Sequence, residues 1–204
     1  MPLAGPVGSL TEADADAWRA DESANDQAGL TAAYADVNGD GLDDIVAGCH
    51  NDDDAGPDAG AAYVLFGPVS GSASFATADA KLTGASPYDG VGNWAWGGRS
   101  RPLHGIGDVD DDGYEDVMLG ARGDISHEGH VFLVHGPVSG TSSLGAAAAT
   151  IQGWGSSSHF FGATNAAPAD MNDDGVKDFI LGDPYRDWAS TNDGGVFVLY
   201  GLEP

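Results

Sequence analysis

Three short stretches of this chain carry side chains whose types and spacing could act together on one ion. They are Asp36 to Asp44, Asp108 to Asp116 and Asp170 to Asp178, each of the form D-x-[DN]-x-D-G-x-x-D. Side-chain oxygens at positions 1, 3, 5 and 9 and the carbonyl at position 7 can converge, and glycine at position 6 permits the sharp turn. The first set is Asp36, Asn38, Asp40, the Leu42 carbonyl and Asp44. The second is Asp108, Asp110, Asp112, the Tyr114 carbonyl and Asp116, and the third is Asp170, Asn172, Asp174, the Val176 carbonyl and Asp178. Gly41, Gly113 and Gly175 stand at the turns. All-oxygen donor sets select hard cations, and flexible loops rich in carboxylate favour Ca²⁺ over Mg²⁺. Carboxylates this close repel one another without a cation, so the expectation is three Ca²⁺ per chain. A solvated acidic turn would explain one such motif but not three in register.

An EF-hand is the obvious rival, because it uses a similar loop. It needs a bidentate Glu at position 12 and a helix on each side. Position 12 here is Ala47, Leu119 or Leu181, inside an apolar run that reads as a buried strand. Apart from these ligands, no Ser/His/Asp order, acid–base pair or phosphate-binding glycine loop is visible, so the chain reads as non-enzymatic.

The elements that must position the loops recur with them. After each loop comes a strand-like segment: Gly60 to Gly67, Gly129 to Gly136 and Gly194 to Gly201. A Gly-Pro-Val element stands at Gly5, Gly67 and Gly136, followed by a weaker strand at Ala17-Trp18-Arg19, Ala80-Lys81-Leu82 or Ala149-Thr150-Ile151. In the first unit, strands are expected at Leu30 to Tyr34 before the loop, Ile45 to Ala47 after it, and Tyr63 to Phe66. Their cores are β-branched and aromatic, and Gly, Pro, Asp and Ser separate them. Four antiparallel strands per unit at regular spacing predict an all-β fold, a β-propeller of four-stranded blades with three blades per chain.

The phase of the repeat predicts how such a chain would assemble. Residues 1–28 supply a fourth strand, 29–84 the first blade, 85–153 the second, and 154–204 a third blade without a fourth strand of its own. Three blades are too few to close a ring. Two copies exchanging N-terminal strands would give a six-bladed homodimer with no open edge. The alternative is a segment cut from a longer propeller.

Composition narrows the partners. The chain of 204 residues has 32 acidic and 7 basic residues and a formal charge of −25. That excess argues against nucleic acid and anionic membrane. No apolar run is long enough to span a bilayer, so no membrane insertion is expected. The single Cys49 cannot form an intramolecular disulfide. No signal peptide is read at the N-terminus, which suits an intracellular protein or a mature or excised piece of a secreted one.

At this point the chain resembles the FG-GAP repeats of the integrin α-subunit propeller, over nearly its whole length. The loops match residue by residue, Phe161-Gly162 stands for the Phe-Gly pair, and Gly-x-Val-Phe-Val-Leu-Tyr matches the following strand. Ala28-Gly29 and Val91-Gly92 replace the Phe-Gly pair in the first two repeats. The Gly-Ala-Pro element is degenerate, at Gly48-Cys49-His50, Gly120-Ala121-Arg122 and Gly182-Asp183-Pro184. The resemblance implies structural calcium on the lower face, between strands 1 and 2. It implies a secreted or cell-surface adhesion module whose protein or glycan ligand meets the opposite face. That face would hold His50 to Ala59, Tyr88 to Gly90, Arg122 to Glu128, Trp154 to His159 and Tyr185 to Asp193. A lectin is the second reading, carried by Trp94, Trp96, Trp154 or Trp188. A non-catalytic propeller within a larger secreted enzyme is the third. Arg122-Gly123-Asp124 and His127-Glu128-Gly129-His130 read as ordinary turns, since short motifs recur by chance.

Overall fold

The computed structural model describes residues 11–92, 102–123, 129–153, 161, 164–183 and 193–201. Among these there is no α-helix, only three one-turn 3₁₀ segments and fourteen strands. Among the described residues, no helix is long and apolar enough to cross a membrane. The N-terminal Gly-Pro-Val element, Trp94, Trp96, Trp154, Trp188, Gly162, Asp124 and His127 lie outside the described residues, as do most of the expected upper-face loops after the first unit.

In chain order, β1 (Ala17–Ala20) stands alone at the start. β2 (Ala28–Ala35), β3 (Asp44–Cys49) and β4 (Ala61–Leu65) then form an antiparallel meander. β5 (Gly71–Ser74) leads out of it, and β6 (Ala80–Thr83) returns antiparallel to β4. The second unit repeats the plan with β7 (Leu103–Gly107), β8 (Asp116–Ala121), β9 (His130–Val134), β10 (Gly140–Ser143) and β11 (Ala149–Gln152). The third supplies β12 (Thr164–Ala169), β13 (Asp178–Asp183) and β14 (Gly195–Leu199).

The expected strands therefore form, within a residue or two of their expected bounds. β5 and β10 are additions. Each is a Gly/Ser/Thr segment with little apolar content, so its hydrophobic pattern gave no strand signal. What makes them strands is pairing. β10 lies parallel on β6 with Gly140 opposite Ala80, and β5 lies parallel on β1 with Gly71 opposite Ala17. The two registers are equivalent. β1 thus has a partner on one side, and the first sheet gains a fifth strand in the order β10-β6-β4-β3-β2.

Period-two alternation sends the strands' side chains to two faces. From the first sheet, Val46, Val64 and Leu82 meet Val117, Leu119 and Phe132 of the second in one fully buried cluster. Met118, Val131 and Leu133 point the other way and pack with Phe179 and Leu181 of the third sheet. The first strands of the sheets are neighbours, β2 beside β7 and β7 beside β12. The loops that leave them consequently sit in a row at one end.

The far face of the first sheet is closed differently. Tyr63 and Phe75 pack there with Ala47, Cys49, Ala61 and Leu65. Above them Lys81 Nζ reaches Asp54 at 2.6 Å, Glu22 at 2.7 Å and Asp52 at 2.8 Å. The Tyr63 hydroxyl lies 2.6 Å from Asp52 Oδ2 and also against Glu22; having one proton, it donates to one at a time. Burial alone would lower the Lys81 pKa, but the bonds to Asp52, Asp54 and Glu22 outweigh it and raise it. The ammonium form is thereby favoured, and it ties the N-terminal segment to the β3–β4 loop. Lys81→Met should cost about 3 kcal/mol, because it strands the buried Asp52 carboxylate. Asp54→Asn, at the exposed end of the cluster, should cost under about 1 kcal/mol. Urea unfolding of the two variants measures the contrast.

Candidate metal centre

Each Asp-rich loop joins the first and second strands of its sheet: β2 to β3, β7 to β8 and β12 to β13. Within each, position 1 organises the turn. Asp36 Oδ2 accepts the Gly41 N–H at 2.8 Å, Asp108 Oδ2 that of Gly113 at 2.9 Å, and Asp170 Oδ2 that of Gly175 at 2.9 Å. The N–H of position 5 bonds the other oxygen, at 3.0, 3.1 and 3.2 Å in turn. Asp40, Asp112 and Asp174 each accept the N–H of position 7 through Oδ1. Closing the turn requires positive φ at position 6, +86°, +95° and +88°, which only glycine adopts without strain.

Position 9 is the anchor. Asp44, Asp116 and Asp178 have no exposed surface. Each takes one N–H from position 2, at 3.1, 2.7 and 2.7 Å. Each takes another from the glycine two residues past the third strand: Gly67 at 2.9 Å, Gly136 at 3.0 Å and Gly201 at 2.9 Å. A carboxylate has about four lone-pair sites, so two remain for another ligand. Burial raises the pKa of Asp44 and Asp116 above the ordinary value, against the pull of these N–H groups and with the help of neighbouring carboxylates. Asp170 is exposed and held below it, chiefly by the Gly175 N–H.

The expected donors of each loop thus share one hydrogen-bonded turn, but among the described residues a close grouping of carboxylate oxygens forms in the second loop alone. In the second, one oxygen each of Asp108, Asp110 and Asp116 lies within 4.8 Å of the others. Asn38 and Asn172, at position 3 of the other two, donate to Asp40 at 3.1 Å and Asp174 at 2.7 Å. Asp110 instead sits 2.6 Å from His135 Nδ1. Leu42, Tyr114 and Val176 occupy position 7. In the second loop this grouping of carboxylate oxygens around a buried anion fits a hard cation such as Ca²⁺.

Several participants were not foreseen. Gly67, Gly136 and Gly201 recur visibly in the sequence, but their role depends on contacts 23, 20 and 23 residues away. His135 had no signal, since Phe66 and Tyr200 hold its place in the other units. Two other acidic groupings are poor metal sites. Glu22, Asp52 and Asp54 already surround the Lys81 ammonium. Asp26 and Asp52 flank Cys49, whose pKa burial raises, so its thiol stays protonated.

The fold and these loops define a class, an all-β domain of repeated sheets that each present one acidic turn at the same end. Two curated relatives place it more closely. Integrin alpha-5 of Xenopus laevis is 30% identical over 163 residues, covering 76% of this chain and 14% of the relative. Integrin alpha-6 of Gallus gallus is 28% identical over 156 residues, covering 76% and 13%. No family model matches the chain. The chain is an integrin α-like domain of FG-GAP type, spanning about a seventh of the length of those relatives.

The buried anchor separates loop structure from metal binding. Asp116→Ala leaves the Val109 and Gly136 N–H groups without their acceptor and should cost roughly 2–4 kcal/mol even with chelator present. Guanidinium unfolding in excess chelator measures it.

Proposed function

We propose that this chain is a non-enzymatic, extracellular adhesion-type module, a β-propeller segment whose three loops hold structural Ca²⁺. The observation that carries the calcium reading is the same set of hydrogen bonds, made three times, around a buried position-9 aspartate. That set orders the donor oxygens and leaves lone pairs on them. The likeness to integrin α chains supports the adhesion role, a cell-surface or secreted setting, and a protein ligand on the face opposite the loops. Side-by-side packing of the first strands supports the propeller. In this reading Ca²⁺ bound by Asp36, Asn38, Asp40, Leu42 and Asp44, and by their counterparts in the other loops, offsets carboxylate repulsion and holds the hairpins. Excess Ca²⁺ should raise the melting temperature over chelator, since a ligand specific to the folded state stabilises it. Calorimetric titration should give three ions per chain. Equal melting temperatures would overturn the reading.

The homodimer is proposed on matching edges. β1 lies on β5 as β6 lies on β10, so it occupies a fourth-strand position. The third sheet has β12, β13 and β14 and, among the described residues, no fourth. Trp18 is 57% exposed on β1 and Val196 73% exposed on β14. Seated antiparallel in the register of β6 on β4, β1 of a second copy would put Trp18 opposite Phe197. Light scattering should give twice the chain mass. A monodisperse monomer at tens of micromolar would overturn the exchange.

A further inference from the structure

In each loop the residue at position 8 stands between two expected ligands, the carbonyl of position 7 and the carboxylate of position 9. In the second loop that residue is Glu115, and it does not face its own loop. Its N–H donates to the Asp36 carbonyl at 3.0 Å, and its Oε2 accepts the Asp36 N–H at 3.0 Å. Asp36 is position 1 of the first loop. Beside it, the Tyr114 ring lies over Gly39 so closely that a Cβ there would come within 2.7 Å of it. The third loop repeats the relation with other chemistry. Lys177 Nζ donates to the carbonyls of Asp108, at 3.1 Å, and Ile106, at 3.3 Å. Asp108 is position 1 of the second loop.

We propose that the three loops bind cations as a coupled row, with Glu115 and Lys177 as the positioning residues that carry the coupling. The inference rests on the calcium reading above and adds to it. A cation in the second loop fixes the Tyr114 carbonyl and the Asp116 carboxylate. The residue between them is then fixed as well, and with it the two bonds that place Asp36. The first loop receives its ion with its first ligand already held, so less ordering remains to be done. The coupling is reciprocal, since each site must change the other's affinity by the same factor. Lys177 passes it from the third loop to the second. Neither residue touches the ion. The fold makes the arrangement possible because β2, β7 and β12 lie side by side.

The test is a titration of the whole chain with Ca²⁺ alone, followed by the amide resonances of Gly41, Gly113 and Gly175 as separate reports of the three loops. Asp112→Ala, which disables the second loop, should weaken Ca²⁺ binding at the first by about 5-fold or more, the lower end of ordinary coupling. In a Glu115→Ala background the same Asp112→Ala change should leave the first loop's affinity where it was, while Glu115→Gln, which retains an acceptor, should keep part of the effect. Lys177→Ala should remove the dependence of the second loop on the third without altering that of the first on the second. Three ions binding independently, with the first loop indifferent to Asp112→Ala, would overturn the coupling and leave the calcium reading intact. No calcium binding in the unaltered chain would overturn both.

Discussion

The structure depends on a buried aspartate that has to be satisfied. Asp44, Asp116 and Asp178 each sit where the start of an acidic loop, the start of the second strand and the end of the third come together. A carboxylate without solvent is costly unless hydrogen-bonded or paired. Here two backbone N–H groups from separate segments share the task, so the anion cannot leave without releasing both. Three strands are pinned at one end by a single side chain, and this happens once per sheet. In the second loop the Asp116 carboxylate also lies within 4.8 Å of an oxygen each of Asp108 and Asp110.

Packing sets the spacing of these anchors. The cores between consecutive sheets are built from both partners, with Val46 and Val64 against Val117 and Leu119, then Met118 and Val131 against Phe179 and Leu181. Because the strands alternate, one sheet serves two cores, and its first strand has a first strand on each side. The loops inherit that order. A residue such as Glu115 bonds the neighbouring loop because the sheets beneath have already been brought together.

Most of the fold was legible because local pattern and tertiary role agree. The strand cores are β-branched and aromatic, the turns are Gly and Asp, and the repetition of both along the chain tells one sheet from the next. The turn of each candidate site was legible because its residues lie within nine consecutive positions. What escaped depended on distance along the chain. β5 and β10 have no hydrophobic pattern and become strands only through parallel partners from the preceding unit. The Lys81 cluster gathers Glu22, Asp52 and Asp54 from separate segments, and in the sequence each reads as one more acidic surface residue. Glu115 and Lys177 differ in charge and donor type, so comparison of the repeats suggests no common role. They share a position and a target, and both are visible only in three dimensions.

The equivalent seats of β5 on β1 and β10 on β6 bear on how chains of this kind change in length. β1 and β6 each receive the polar outgoing segment of the following unit in the same parallel register. The side chains added at the two junctions differ, Arg19 reaching the Gly71 carbonyl at 2.8 Å in one and Thr83 the Ser142 carbonyl at 3.4 Å in the other, while the backbone register is the same. Duplication or loss of a whole unit therefore leaves the junction register unchanged.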